Sequence, residues 1–535
     1  MKKLPLGIQT FRKIVEGNHV YADKTRYIYD MIHGASCYFL SRPRRFGKSL
    51  LLDTIGEVFS GEKELFKGLW IYDSDYDFTM HPVIRLDMSN IANKTPEVLE
   101  SELSFELVRR ARDEGVDVGA GAPSGQFKSF IEALYKKYNQ KVVVLIDEYD
   151  KPILDHLTDI KTAEANRAVI KNFYGVLKSM DRYLRLTFIT GVSKFTKTSI
   201  FSELNNLYDV TMVKKYANIC GIPVEDLDKY FGEHIEALSG LKYFQRVDNL
   251  HDEILAWYDG YSWDGETRVI NPYGLITFFM QERFSSFWYA SGSPRFLLDM
   301  IKRNPEIYAN LRDYKTGEWQ MDIFDVDNIQ AAPLLFQTGY LTVRKVEYNV
   351  ESSTNYLLRI PNREVREAFN LHILSELTEK GPAAAENAYW GMKESLRNGD
   401  LPRMLGILKS LFASIPYELH VNLEAYYHSL FYAVMSVLGF DVDAEVSVSG
   451  GRIDAVLALA DKVYVMEFKY EQCAPGADDE AKRKLFDKAL AEGMRQIRDK
   501  GYADRYAGSG KEVVLAAFAF LGRDDIEMAT DQSEE

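Results

Sequence analysis

Four apolar residues, Cys37-Tyr38-Phe39-Leu40, run into Ser41-Arg42-Pro43-Arg44-Arg45-Phe46-Gly47-Lys48-Ser49 and then into the helix-forming Leu50-Leu51-Leu52-Asp53-Thr54-Ile55. A buried strand, a tight basic turn and Gly-Lys-Ser opening a helix constrain the fold more than any other stretch. The first turn of a helix carries unpaired N–H groups and the positive end of the dipole, which together hold phosphate. Lys48 is then placed to reach terminal phosphates and the Ser49 hydroxyl to reach Mg²⁺. The usual pattern begins with Gly where this chain has Arg42, so the loop must turn differently. Pro43 would hold the bend, and Arg44 and Arg45 would add positive charge. The alternative is a basic surface turn.

A second motif favours the phosphate loop. Lys141-Val142-Val143-Val144-Leu145-Ile146-Asp147-Glu148-Tyr149-Asp150 has an apolar run suited to a strand buried on both faces of a parallel sheet. It ends in two acids, where such strands meet the ligand crevice. Asp147 is expected to hold Mg²⁺ directly or through water, and Glu148 to orient or deprotonate an attacking water. Taken alone, an acidic pair after a strand could be a loop cap.

Further strands are expected at Pro82–Ser89, Leu184–Gly191 and Leu207–Met212, with helices over roughly 96–139. Alternating strands and helices predict a doubly wound parallel α/β sheet. Thr190 or Ser193, ending the Leu184 strand, would sense the γ-phosphate, with Lys194 and Lys197 nearby. Asp23 is expected to cap a helix beginning near Tyr27. Residues 222–345 read as helical with aromatic clusters, closing in a short β-containing module near Leu334–Val343. Residues 362–415 read as a helical layer.

The chain carries a second chemical constellation after residue 420. Asn422–Phe431 is amphipathic at helical spacing. Gly451-Arg452-Ile453-Asp454-Ala455-Val456-Leu457-Ala458-Leu459 and Lys462-Val463-Tyr464-Val465-Met466-Glu467-Phe468-Lys469 read as two strands joined at Ala460-Asp461. A two-residue turn sets Leu459 against Lys462, and that register sets Asp454 against Glu467. Lys469 projects from the same face as Glu467. Opposed carboxylates repel unless a cation bridges them. A divalent metal does so, and it lowers the pKa of a water attacking a phosphodiester. Lys469 would then position that water or stabilise the developing charge. The plain alternative is a surface ion pair bridged by Lys469.

Composition narrows the remaining classes. A net charge of −14 argues against a generally basic nucleic-acid coat but leaves room for a local basic groove. Cys37, Cys220 and Cys473 have neither metal-ligand nor redox spacing. The start lacks a signal-peptide apolar segment, and no run of about 18 apolar residues suggests a membrane span. A cytoplasmic protein without membrane partners is expected. Gln496 and Tyr502 would border the second site, and the acidic end from Asp524 reads as a disordered tail.

Two resemblances rest on these residues. Tyr21–Thr25, Arg42–Ser49 and Leu145–Asp150 resemble the wording of the bacterial AAA-ATPase-like family, in which the missing first Gly is usual. Asp454 and Glu467-x-Lys469 resemble the PD-(D/E)XK nuclease superfamily, with Ile453 where Pro is common and Glu424 as the usual extra acid. The resemblances imply a P-loop NTPase parallel sheet with a helical lid, plus a C-terminal α/β restriction-endonuclease-like domain. The expected domains are an ATPase core over 1–220, a lid with a small β-containing module over 221–345, a helical connector over 346–418, a nuclease-like domain over 419–523 and the acidic tail over 524–535.

Nucleotide is expected at Arg44, Arg45, Phe46, Gly47, Lys48, Ser49 and Leu50 of the loop, with Asp147 and Thr190 at the sheet edge. Arg295, in the turn Ser291-Gly292-Ser293-Pro294-Arg295, resembles an arginine that an AAA lid delivers to the γ-phosphate; a solvent-facing Arg at an ordinary helix start is the alternative. Metal ligands are expected at Ser49 and Asp147 in one site and at Glu424, Asp454 and Glu467 in the other, where Lys469 completes catalysis. ATP and Mg²⁺ are the implied cofactors, with Mn²⁺ an alternative at the nuclease site. The expected activity is ATP-controlled hydrolysis of nucleic acid, DNA before RNA. The alternative is an ATP-dependent switch, or a nucleic-acid or protein-binding module without nuclease turnover. A regulatory protein is then a further partner, and an arginine supplied in trans would require a homo-oligomer.

Overall fold

The computed structural model describes all residues other than 195–199, 202–203, 205, 291–313, 322–330, 349–352, 379–380, 413–440, 449–450, 460, 472–477, 500–509, 522–524 and 532–535. The chain forms two compact units, Met1–Phe296 with Leu311–Glu364, and Leu297–Asn310 with Val365–Glu535.

In the first unit, β1 (Cys37–Ser41), β2 (Val83–Asp87), β3 (Val142–Asp147), β4 (Leu184–Gly191) and β5 (Tyr208–Asp209) form one sheet in the order β2-β3-β4-β1-β5. Every pairing is parallel. All residues of β1 and β3 are buried, which accounts for their unbroken apolar runs. The order places β1 and β3 on either side of β4, so the loop after β1 and the acids after β3 meet at one sheet edge.

The helices between these strands follow from local sequence. Helix Pro96–Asp113 begins at Thr95, whose hydroxyl accepts the Val98 amide, with Pro in its first turn. Leu99, Leu103, Leu107 and Ala111 then supply its buried stripe. Helix Pro123–Tyr138 stops at Asn139, which takes φ 49° in the left-handed region.

Residues 222–345 depart from an all-helical reading. Strands β6 (Ile222–Pro223) and β7 (Val269–Ile270) form an antiparallel pair beside helices Leu227–Ser239, Leu250–Tyr258 and Pro272–Gln281. The aromatic clusters are their core: Phe231 stacks on Phe279 at 5.3 Å and Phe278 on Phe284 at 4.6 Å. Leu334–Thr338 lies in helix Ala331–Thr338, so the β-containing module is built from strands on both sides of that stretch, not from the stretch itself. Its strands β8 (Tyr314–Gly317), β9 (Thr342–Glu347) and β10 (Asn355–Arg359) are antiparallel in the order β8-β10-β9.

The second unit contains helices Pro382–Asn398 and Leu401–Phe412 and a five-stranded sheet. Its strands are β11 (Asp441–Val448), β12 (Gly451–Ala458), β13 (Lys462–Glu471), β14 (Glu512–Leu521) and β15 (Asp525–Thr530), in sequential order. Only β13 and β14 are parallel, and helix Asp479–Asp499 makes the crossover between them. Phe486, Leu490, Met494 and Ile497 pack this helix on Val463, Val465, Leu515 and Ala517. A Cβ on Gly493 would stand 3.0 Å from that of Ala517, so glycine lets the helix approach the sheet.

The acidic end corrects an expectation. Residues 525–530 are strand β15 rather than tail, with Ile526 1% exposed against β14. Reading charge along the chain misses the cations that answer these acids from the crossover helix. Lys482 pairs with Asp525 at 2.7 Å and Arg483 with Glu527 at 3.0 Å.

No helix among the described residues is long and apolar enough to cross a membrane.

Candidate functional site

The loop after β1 turns through two left-handed residues, Arg45 at φ 68° and Gly47 at φ 91°, before helix Lys48–Val58. Glycine takes this geometry without strain, whereas Arg45 holds it with its guanidinium 4.9 Å from the centre of the Tyr273 ring. Arg42 points inward rather than toward a ligand. Its Nη1 donates to the carbonyls of Ser41 at 2.9 Å and Thr211 at 2.8 Å, and Nη2 to Tyr216 at 3.3 Å. The guanidinium lies 3.9 Å from the Trp263 ring centre and is fully buried. Burial pushes it down to about 10, so it remains a cation at neutral pH.

Lys48 is buried beneath the loop, where Nζ donates to the carbonyls of Arg42 at 3.0 Å and Pro43 at 3.1 Å. The Asp147 carboxyl, at the end of β3, is only 6% exposed. Burial raises its pKa, while a hydrogen bond from the Ser49 side chain and the nearby Lys48 charge oppose the rise. A hydroxyl and a carboxylate meeting beside a lysine fit a hard divalent cation that bridges protein and phosphate. Glu148 follows at φ 47°, a left-handed position for a residue with a side chain, and its amide donates to Asp147 Oδ1 at 3.0 Å. Such a conformation costs roughly 1–2 kcal/mol and is concentrated at functional sites.

These groups open on a cleft of about 470 Å³ lined by Arg44, Arg45, Gly47, Lys48, Ser49, Leu50 and Glu148. Its other wall contains residues that the sequence did not single out for this role: Pro5–Gln9, Lys151, Tyr273, Trp288 and Tyr340. The Trp288 indole N–H donates to the Arg44 carbonyl at 2.9 Å. Trp288 is itself fixed by Glu364, whose Oε1 accepts its backbone amide. Glu364 is fully buried, its Oε2 has no hydrogen-bond partner among the described residues, and burial raises the carboxyl to about 8.

Phe46 faces away from the cleft, 1% exposed and edge-on to Tyr261 at 4.7 Å. Thr190 is fully buried and its hydroxyl donates to the Leu40 carbonyl at 2.8 Å, within the sheet. The Ser193 hydroxyl is buried without a hydrogen-bond partner among the described residues. Lys194 pairs with Asp209 at 2.9 Å. Asp150, which carried no expected role, joins the ends of β3 and β4 by accepting the amides of Val192 at 3.0 Å and Ser193 at 2.6 Å. Burial raises it to about 6 despite those bonds. Gly191 is required here, because a Cβ would stand 2.6 Å from the Tyr149 ring. Arg295 and Lys197 lie outside the described residues.

In the second unit, β12 and β13 pair in the register that a two-residue turn predicts. Leu459 donates to Lys462 at 2.7 Å, and the ladder runs from Ala458↔Val463 to Ala455↔Met466. Asp454 and Glu467 occupy the next position on each strand. The Glu467 side chain is 1% exposed, and Lys469 Nζ lies 3.4 Å from its Oε1. The same ammonium donates to Gln496 Oε1 at 2.7 Å, which fixes it to the crossover helix. The side chain of Asp454, together with Glu424 and Tyr502, is outside the described residues, and among those described no group of three metal-ligating residues occurs. Glu467 supplies one buried oxygen ligand of a kind that Mg²⁺ or Mn²⁺ accepts.

Comparison with known proteins covers both constellations. Residues 5–201 match the family described as "Predicted AAA-ATPase", and residues 422–529 match the PD-(D/E)XK nuclease superfamily. The chain is 35% identical over 526 residues to "Uncharacterized protein in vnfD 5'region" of Azotobacter chroococcum mcd 1, covering 97% of this chain and 96% of the relative. No solved structure matches.

Proposed function

The chain belongs to the AAA-ATPase-like family and carries a C-terminal PD-(D/E)XK nuclease superfamily domain, and from that premise we propose an ATP-controlled, metal-dependent nuclease. The observation that carries the reading is the meeting of Asp147 with Lys48 and Ser49 at one edge of a parallel sheet, where Lys48, Ser49 and Glu148 line the cleft that a triphosphate would occupy.

Lys48 leaves the carbonyls of Arg42 and Pro43 to meet the terminal phosphates. Ser49 and Asp147 hold Mg²⁺, which neutralises phosphate charge when bound. Glu148 aligns the attacking water and accepts its proton. Arg44, Arg45 and Gly47 cradle the phosphates, and Arg295 would supply a further cation to the γ-phosphate. In the C-terminal domain, Asp454 and Glu467, with Glu424, hold Mg²⁺ or Mn²⁺. Lys469 orients water toward the scissile phosphodiester and is itself held by Gln496. DNA is the proposed substrate, and the nucleotide state of the first domain governs cleavage by the second.

Purified protein is tested on supercoiled, linear and single-stranded DNA and on RNA, with Mg²⁺ or Mn²⁺, with and without ATP. Loss of cleavage in Glu467→Ala and a changed ATP response in Lys48→Ala support the reading. ATP hydrolysis with no cleavage of any substrate would point to a switch acting on a protein partner.

A further inference from the structure

Beside the phosphate cleft lies a smaller cavity of about 90 Å³ with apolar walls that include Val20, Tyr21, Leu51, Ile219 and Phe231. Pro5, Gly47, Leu50, Pro272 and Ile276 line both spaces, so they share a wall. Gly221 ties this cavity to the phosphate loop by donating its amide to the Phe46 carbonyl at 3.2 Å. At φ 84°, and with a Cβ destined to lie 2.8 Å from Val269 Cγ2, this position admits only glycine.

One cation lines this apolar space. Lys24 is 8% exposed, and its ammonium has no hydrogen-bond or ion-pair partner among the described residues. The adjacent acid is already committed: Asp23 accepts from the Thr25 amide and hydroxyl at 2.8 and 2.7 Å, and from the Trp70 amide at 2.7 Å. Burial lowers Lys24 to about 8, with Cys220, Asp226, Asp23 and Glu225 opposing the fall, so it stays mostly protonated at neutral pH. An ammonium without a protein partner in a largely apolar recess is poorly solvated in the free protein, and it has three protons to donate. A flat, apolar-faced ligand with acceptors on its edge satisfies both needs.

We propose that Lys24 reads the nucleobase, its ammonium donating to a ring-nitrogen or carbonyl acceptor on the base edge while the apolar walls hold the ring faces. This rests on the nucleotide reading of the phosphate loop and adds a specificity-determining residue to it. The phosphates and the base are positioned relative to each other through Gly47 and the Gly221–Phe46 bond.

The test compares magnesium-bound ATP, GTP, CTP and baseless tripolyphosphate by calorimetry on the full chain and on Lys24→Met, which keeps the apolar stem. The native chain should bind at least one nucleoside triphosphate more tightly than tripolyphosphate. Lys24→Met should weaken that nucleotide by about tenfold or more, as loss of a charged hydrogen bond implies, and leave tripolyphosphate unchanged. Its ligand-free melting temperature should rise, because a buried unpaired charge is gone. A merely structural lysine would lower it. If the native chain binds nucleotide and Lys24→Met binds it equally well, the inference fails alone. If the native chain binds neither nucleotide nor tripolyphosphate, the phosphate-loop reading fails and takes the inference with it.

Discussion

The indole N–H of Trp288 donates to the main-chain carbonyl of Arg44 at 2.9 Å, so a side chain far along the sequence holds the loop after β1. Trp288→Phe keeps an aromatic ring beside Tyr340 and removes the donor. Nucleotide affinity should fall about fivefold, the value of roughly one neutral hydrogen bond, with the melting temperature little changed. Titration with ATP and thermal denaturation check the two halves separately.

Glu148 gives a divided expectation. Glu148→Gln keeps the backbone and the size of the side chain but cannot take a proton. ATP should bind normally while phosphate release slows by about a hundredfold or more. Glu148→Gly abolishes turnover as well, yet it should raise the melting point, because the strain at φ 47° is relieved.

Glu364 predicts a pH dependence of stability. Its carboxyl meets the amides of Trp288 and Tyr289 and lies near the Tyr258 and Tyr261 rings, with no cation paired to it among the described residues. The folded value of about 8 exceeds the ordinary value of 4.5, so the folded state holds the proton more tightly. Its stabilising contribution is complete below the ordinary value and is lost as pH rises through about 8. Glu364→Gln, always neutral, should therefore gain stability relative to the native chain between pH 5 and pH 8, tracked by urea denaturation. A constant difference across that range would remove Glu364 as the source.

Gln496 accepts from the Lys469 ammonium, so in the proposed nuclease it would act by positioning. Gln496→Leu should reduce nuclease turnover by about tenfold while substrate affinity holds. A change in affinity alone would indicate a structural role for the helix contact.

The legibility of these sites follows chain distance. The register of β12 with β13 was readable because a two-residue turn leaves one pairing, and periodicity in strands is strict. The burial of β1 and β3 was readable because a parallel strand covered on both faces has no polar residues to alternate. Trp288, Tyr273 and Glu364 were not, because aromatic and acidic residues beyond position 270 carry no local mark of what they will touch. The role of Arg42 was not legible for a different reason. Its place where Gly is usual marks a different turn, and only the carbonyls of Thr211 and Tyr216, far along the chain, give it a buried purpose. The end of the chain misled, since Lys482 and Arg483 answer its acids from an earlier helix.

Arg42 also bears on how this protein can change over time. Most phosphate loops gain their shape from a glycine that any neighbouring sequence tolerates. Here the corresponding position is bound to three carbonyls and to Trp263, so its replacement by glycine removes three hydrogen bonds and a ring contact at once. Drift toward the commoner glycine is thus a valley rather than a path, and a lineage that begins with arginine at this turn is held to it by its own interior.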